Sequence, residues 1–177
     1  MKKIYLAGPE VFLPDATIFL EDLKKICSEH GFIGLSPFDS VLKSQNKTSL
    51  ELAKEIYLGN VSLIQEADII LANCNPFRGA IVDDGTSYEI GHGFALGKKI
   101  YGYVNEKMEL PKVVEKKIKT FSHQSGFLID EDGYLVNENF GNTINLMLEF
   151  AILESGGELI EGDFHKAISI LKEKEIS

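Results

Sequence analysis

Short, unbroken apolar runs alternate along the chain with longer stretches in which apolar residues return every third or fourth position. The runs are too short for helices and have no polar alternate face, so they read as strands buried on both sides. Lys3–Ala7 is the first, cut off by Gly8 and Pro9. Pro14 and Asp15 then open a helix to about His30, with Ile18, Phe19, Leu23 and Ile26 at helical spacing and Gly31 as its C-cap. Residues 32–35 predict a second strand, which ends in the loop Ser36, Pro37, Phe38, Asp39. After a polar stretch, residues 50–66 predict a helix through Leu52, Ile56, Leu63 and Ile64, with Gly59 as an irregularity inside it. Residues 69–72 predict a third strand, 85–96 a helix and 100–104 a fourth strand.

Strands alternating with helices predict an α/β fold, a parallel sheet with right-handed crossovers. The third quarter breaks the rhythm: residues 127–136 predict a hairpin turning at Asp132 and Gly133. Residues 142–154 and 164–173 then predict two closing helices. No repeat, linker or low-complexity segment divides the chain, so residues 1–177 are expected to form a single domain.

Composition narrows the function classes. A formal charge of −9 disfavours a nucleic-acid partner, which calls for basic surface, and disfavours a substrate with several phosphates. Cys27 and Cys74 are the only cysteines and suit neither a disulfide framework nor a zinc site; two free thiols fit the cytoplasm. No secretory or membrane-spanning run is present, so the Asn46, Lys47, Thr48 sequon reads as incidental. The four histidines show no ligand spacing, and neither a metal nor an organic cofactor is expected. Gly91–Lys98 only superficially evokes a phosphate loop: His92 stands where that pattern needs Gly and Lys99 where it needs Ser or Thr. Its small residues read instead as close helix–strand packing.

The candidate chemistry gathers after the strands. Asp83 and Glu89 flank a Gly-Thr turn just beyond the third strand, where a parallel sheet opens its ligand crevice. Tyr5, Gly8, Asp39, Phe77 and Arg78 also fall at or after strand ends. Carboxylates beside aromatic rings suit a planar heterocycle joined to a sugar. Asp84 is expected to do no more than begin a turn or cap the following helix.

Six segments in fixed order carry a resemblance: Tyr5–Phe12 (YLAGPEVF), 36–39 (SPFD), 67–73 (ADIILAN), 75–79 (NPFRG), 83–91 (DDGTSYEIG) and 145–147 (NLM). Together they resemble the nucleoside 2-deoxyribosyltransferase family, from residue 3 to about 150. The resemblance implies a flavodoxin-like or Rossmann-like parallel sheet flanked by helices, and transfer of 2-deoxyribose between a deoxynucleoside and a free nucleobase. It implies that Glu89 is the nucleophile of a double displacement, with net retention as in retaining glycosidases. Asp83 matches an acid that handles the leaving base, and Tyr5 a tyrosine that orients the glutamate. Asn145 matches an asparagine that reaches the sugar from a neighbouring subunit, which implies a homo-oligomer with shared active sites. Gly8, Phe12, Phe77, Arg78, Gly79, Asp39 and Met147 match binding positions; Asn60 departs from an aspartate found in some relatives. Purine deoxynucleosides are expected among the substrates, as in purine salvage. The alternative is a nucleoside or nucleotide N-glycosidase on the same scaffold; a non-catalytic nucleoside-binding protein is a third reading.

Overall fold

The computed structural model describes residues 1–40 and 48–176, so Asn46 and Lys47 of the sequon lie outside the described residues. Its centre is a five-stranded parallel sheet formed by β1 (Lys3–Ala7), β2 (Ile33–Leu35), β3 (Ile69–Asn73), β4 (Lys99–Val104) and, late in the chain, β8 (Leu159–Glu161). The order is β2-β1-β3-β4-β8, which reverses direction between β1 and β3. That is the flavodoxin-like arrangement, whose ligand crevice opens at the carboxyl ends of these two strands.

Alternate residues of each strand serve opposite faces. Ile4, Leu6, Ile69, Leu71, Tyr101 and Tyr103 pack against α1 (Ala16–Glu29) and α6 (Phe164–Glu175). Tyr5, Ala7, Ile70, Ala72 and Ile100 face the other way, onto Ile64 of α2 (Ser49–Glu66), Ile90 of α3 (Asp84–Ala95) and Ile152 of α5 (Leu146–Glu154). Each buried Ile or Leu among these contributes about 1.5–3 kcal/mol over leaving it in water. Both faces are covered, which is why the strands read as unbroken apolar runs. Gly93 lets α3 close on β3, since a Cβ there would stand 2.8 Å from Ile70 Cγ1.

Several expectations are corrected. In α1 the buried stripe is Ala16, Leu20, Leu23 and Cys27, while Ile18 is 68% exposed. Positions 16, 20, 23 and 27 lie on the side that meets the sheet, and Ile18 points off it. In α2 only Ile64 is fully buried, and Leu52 and Ile56 remain exposed. The helix expected over 142–154 begins only at Leu146, with Asn145 as its N-cap. The hairpin over 127–136 forms as β6 (Leu128–Asp130) and β7 (Leu135–Val136), joined by an unexpected β5 (Thr120–Ser122) into an antiparallel meander. Asp130 Oδ1 accepts from the Asp132 and Tyr134 N–H groups and shapes its turn. Helix α4 (Leu110–Lys117) and strand β8 were also not expected.

Candidate active site

Tyr5 is fully buried in β1 on the face that meets α3. Its hydroxyl donates to Glu89 Oε1 at 2.6 Å, joining the first strand to the second turn of α3. Burial pushes the Glu89 carboxyl up to about 7; the Tyr5 hydrogen bond opposes this, and the charges of Asp83 and Glu10 add to it. Burial, then the neighbouring Glu89, push the Tyr5 hydroxyl far upward, so it remains a donor across the physiological range. A carboxylate poised near neutrality and held by a phenol is suited to attack an electrophilic carbon or to exchange a proton.

Asp83 is buried and caps α3: its Oδ2 accepts from the Thr86 N–H at 3.0 Å and the Thr86 hydroxyl at 3.2 Å. The cap expected of Asp84 is thus made by Asp83, whose extended backbone lets its carboxylate fold onto the N3 amide. Asp84 is already helical, is exposed, and among the described residues accepts only from the Gly85 N–H. Asp83 Oδ1 makes no hydrogen bond among the described residues, so the capping acid keeps one oxygen for other use.

One neighbour was quoted within a motif but given no role. Glu10 lies in the 3-10 turn Pro9–Phe12 that follows β1. Its Oε1 accepts from Asn73 Nδ2 at 2.6 Å and Tyr103 Oη at 3.2 Å, and a Cβ on Gly8 would collide with its carboxylate. Its place directly after a Gly-Pro strand end was the signal that marked it.

The same turn carries Phe12, which stacks on Phe77 with centroids 5.2 Å apart and planes 17° apart. The Arg78 guanidinium sits 5.0 Å from the Phe12 centroid and 4.7 Å from that of Phe77. Arg78 takes a left-handed φ of 48°, unusual for a non-glycine residue, and Gly79 follows at 157°. The Phe77 N–H bonds to the Ile81 carbonyl at 2.9 Å, closing the loop that leads to Asp83. Two rings and a cation from two loops thus form one aromatic cluster at the carboxyl edge of β1 and β3.

Not every expected residue joins them. Asp39 is committed locally, accepting from the Ser36 N–H at 2.8 Å and Lys24 Nζ at 2.7 Å. Asn60 is half-buried in α2, and its shielded Oδ1 has no partner among the described residues. Asn145 and Met147 belong to α5; the Asn145 side chain bonds the Met147 N–H and Glu138, and Met147 is 72% exposed. Asn145 also lines a cavity of about 200 Å³ with Ala80, Val82, Val104, Leu110 and Ile144, to which Tyr5, Asp83 and Glu89 contribute nothing.

A family model described as nucleoside 2-deoxyribosyltransferase matches residues 4–147. A 2-deoxyribosyltransferase from Leishmania mexicana superimposes with a TM-score of 0.72 at 26% identity, covering 99% of each chain. A conserved protein from Enterococcus faecalis shares the fold, with a TM-score of 0.63 at 18% identity over 98% of this chain and 99% of that one. An uncharacterised protein of Schizosaccharomyces pombe is 30% identical over 174 residues, 87% of this chain and 78% of that protein.

Proposed function

The chain belongs to the nucleoside 2-deoxyribosyltransferase family and is an enzyme; from that premise we propose that it moves 2-deoxyribose between nucleobases by double displacement at Glu89. The ionised Glu89 carboxylate attacks the anomeric carbon of a deoxynucleoside. A C–O ester bond forms as the C–N bond to the base breaks, and the electron pair leaves on the base nitrogen. Asp83, the adjacent carboxylate with an unused oxygen, relays a proton from solvent to that nitrogen. A second base then attacks the same carbon from the vacated side, expels Glu89 and returns a proton through Asp83 to solvent. Two inversions give net retention.

The observation that carries this reading is the 2.6 Å bond from Tyr5 to a Glu89 carboxyl raised to about 7, at the carboxyl edge of β1. Tyr5 fixes the attacking oxygen, and Phe12, Phe77 and Arg78 receive the planar base. Gly8 and Gly79 let backbone approach the ligand, while Asn60 and Asp39 act on base preference. Arg78 offers the described motif loops' one cation, which fits an unphosphorylated purine nucleoside better than a nucleotide.

The enzyme works as a homo-oligomer in which Asn145 and Met147 serve a neighbouring copy's site. In support, α2, α3 and α5 pack side by side and leave Ile56, Tyr57, Tyr88, Met147 and Phe150 exposed, apolar area of the kind a partner covers. Among the described residues no helix is long and apolar enough to cross a membrane. Two buried, unpaired thiols, each pushed up to about 12 by burial, suit a reducing compartment such as the cytoplasm.

Deoxyinosine incubated with and without adenine tests the reading. Deoxyadenosine is expected only with adenine present. Hypoxanthine released at one rate in both tubes, with no deoxyadenosine, would make the enzyme a hydrolase. Trapping with a 2-fluoro-deoxynucleoside should leave a sugar adduct on Glu89; an adduct elsewhere removes Glu89 as nucleophile.

A further inference from the structure

Resting on the reading that Asn145 serves a neighbouring copy, we infer that Glu138 is the positioning residue that sets the Asn145 amide for that copy's active site. The segment 138–147 then acts as one arm, offered to a second copy of this chain. Glu138 lies two residues past β7, at the exit of the meander. Its Oε1 accepts from Asn145 Nδ2 at 2.7 Å, and its Oε2 accepts from the Leu146 N–H at 3.0 Å and Asn142 Nδ2 at 3.3 Å. One carboxylate therefore ties the meander to the N-terminus of α5, where negative charge is favoured by the helix dipole.

The consequence for Asn145 is directional. Its Oδ1 is spent on the Met147 N–H at 3.0 Å as the helix cap, and one N–H of Nδ2 on Glu138. A flipped amide would set oxygen against the Glu138 carboxylate and nitrogen against an N–H donor, so only one orientation survives. That leaves a single N–H donor free, suited to a sugar oxygen and aimed by the Glu138 bond.

The surroundings fit a partner rather than solvent. Gly141, at a φ of 81°, turns the chain back and leaves Phe140 71% exposed; Met147, on the other side of Asn145, is 72% exposed. Two exposed apolar side chains thus bracket the polar donor along the chain, and Met147 lies one helical turn from the exposed Phe150 on α5. A second copy of this chain is the occupant that covers all of it. Glu149 braces the arm from the other side, accepting from the Thr143 N–H at 2.6 Å and the Ile144 N–H at 3.2 Å.

Mixed oligomers test this, made by co-expressing two differently tagged chains and isolating those that carry both tags. Glu138→Ala alone should lower kcat/KM by about 10–100-fold, the cost of a misplaced contact. Paired with Glu89→Ala, which is inactive but has an intact arm, it should recover to roughly a quarter to a half of the wild-type rate, the share of sites that join an intact Glu89 to an intact arm in oligomers carrying both tags, a half where the oligomer is a dimer. Asn145→Ala paired with Glu89→Ala is the reference. Recovery with Asn145→Ala but none with Glu138→Ala overturns the role of Glu138 and spares the shared site. No recovery in either pairing sinks the shared site and this inference together, and wild-type activity from Glu138→Ala alone overturns the inference directly. Where Glu138→Ala fails to fold, Glu138→Gln enters the same pairings, because it keeps the shape but can accept from fewer of the three donors.

Discussion

Glu89→Gln separates the electrostatics of the site from its chemistry. The substitution keeps the side chain's shape and an acceptor for Tyr5, but removes the ionisation. Burial raises the Glu89 carboxyl from 4.5 to about 7 against the pull of the Tyr5 hydroxyl. The folded protein thus holds this proton to higher pH than the unfolded chain does. The neutral form's contribution to stability is complete below pH 4.5 and is lost as pH rises through about 7. At ~1.36 kcal/mol per pKa unit the full effect is about 3 kcal/mol. Solvent screening at a half-buried side chain trims it to about 2 kcal/mol. Glu89→Gln should therefore be inactive, yet melt roughly 4–8 °C above wild type at pH 8. At pH 5, where folded Glu89 still carries its proton and most of the contribution remains, the gap should shrink to about 1–2 °C. Differential scanning calorimetry at both pH values reads this out. Equal melting temperatures at pH 8, or a gain confined to pH 5, would refute the claim that Glu89 is ionised against its surroundings.

Two further outcomes follow from the same bookkeeping of charge. Tyr5→Phe deletes the bond that holds the Glu89 carboxyl down. The acid limb of kcat/KM against pH, expected near 7 in wild type, should move upward while kcat falls about 10–100-fold; an unmoved limb separates Tyr5 from the nucleophile. At the opposite edge of the sheet, burial pushes the Glu175 carboxyl up, but bonds from Lys2 at 2.8 Å, Lys99 at 2.6 Å and Tyr101 at 2.6 Å bring it down to about 2. Its stabilisation is present above about 4.5 and is lost as pH falls toward 2, so Glu175→Gln should cost about 1–2 kcal/mol at pH 7, after discounting for the exposed lysines. Urea melts at pH 7 and pH 3 check this; a cost that persists undiminished at pH 3 removes the ion pairs as its cause.

The sheet was legible because burial on both faces leaves a signature needing no partner: Ile69, Ile70, Leu71 and Ala72 are apolar in a row. Strand β8 escaped because three residues with an exposed Glu161 carry no period, and only the edge of β4 tells them they are a strand. Helix α2 was read to within a residue of its ends, but not which of its positions are buried: Leu52 and Ile56 have the right spacing for a core, yet they stay exposed and only Ile64 is fully buried.

The acids show the same limit at the level of single atoms. Asp83 and Asp84 are neighbours with equal claim to a cap, and the sequence offers nothing to choose between them. The choice is made by backbone geometry: Asp83 stands outside the helix at φ −54° and ψ 138°, so its carboxylate can turn back to Thr86. Six residues from Asp83 to Glu89 would not align two side chains on one helix face. Because Asp83 is the cap and not part of the helix, its charge is nevertheless felt at Glu89. Oδ2 of Asp83 is thus spent on folding, and Oδ1 has no hydrogen bond among the described residues. Under the proposed mechanism, a substitution at Asp83 that loses the Thr86 bonds is expected to disturb the start of α3 together with proton transfer. A neutral isostere that keeps the Thr86 bonds, Asp83→Asn, is the substitution that separates the two.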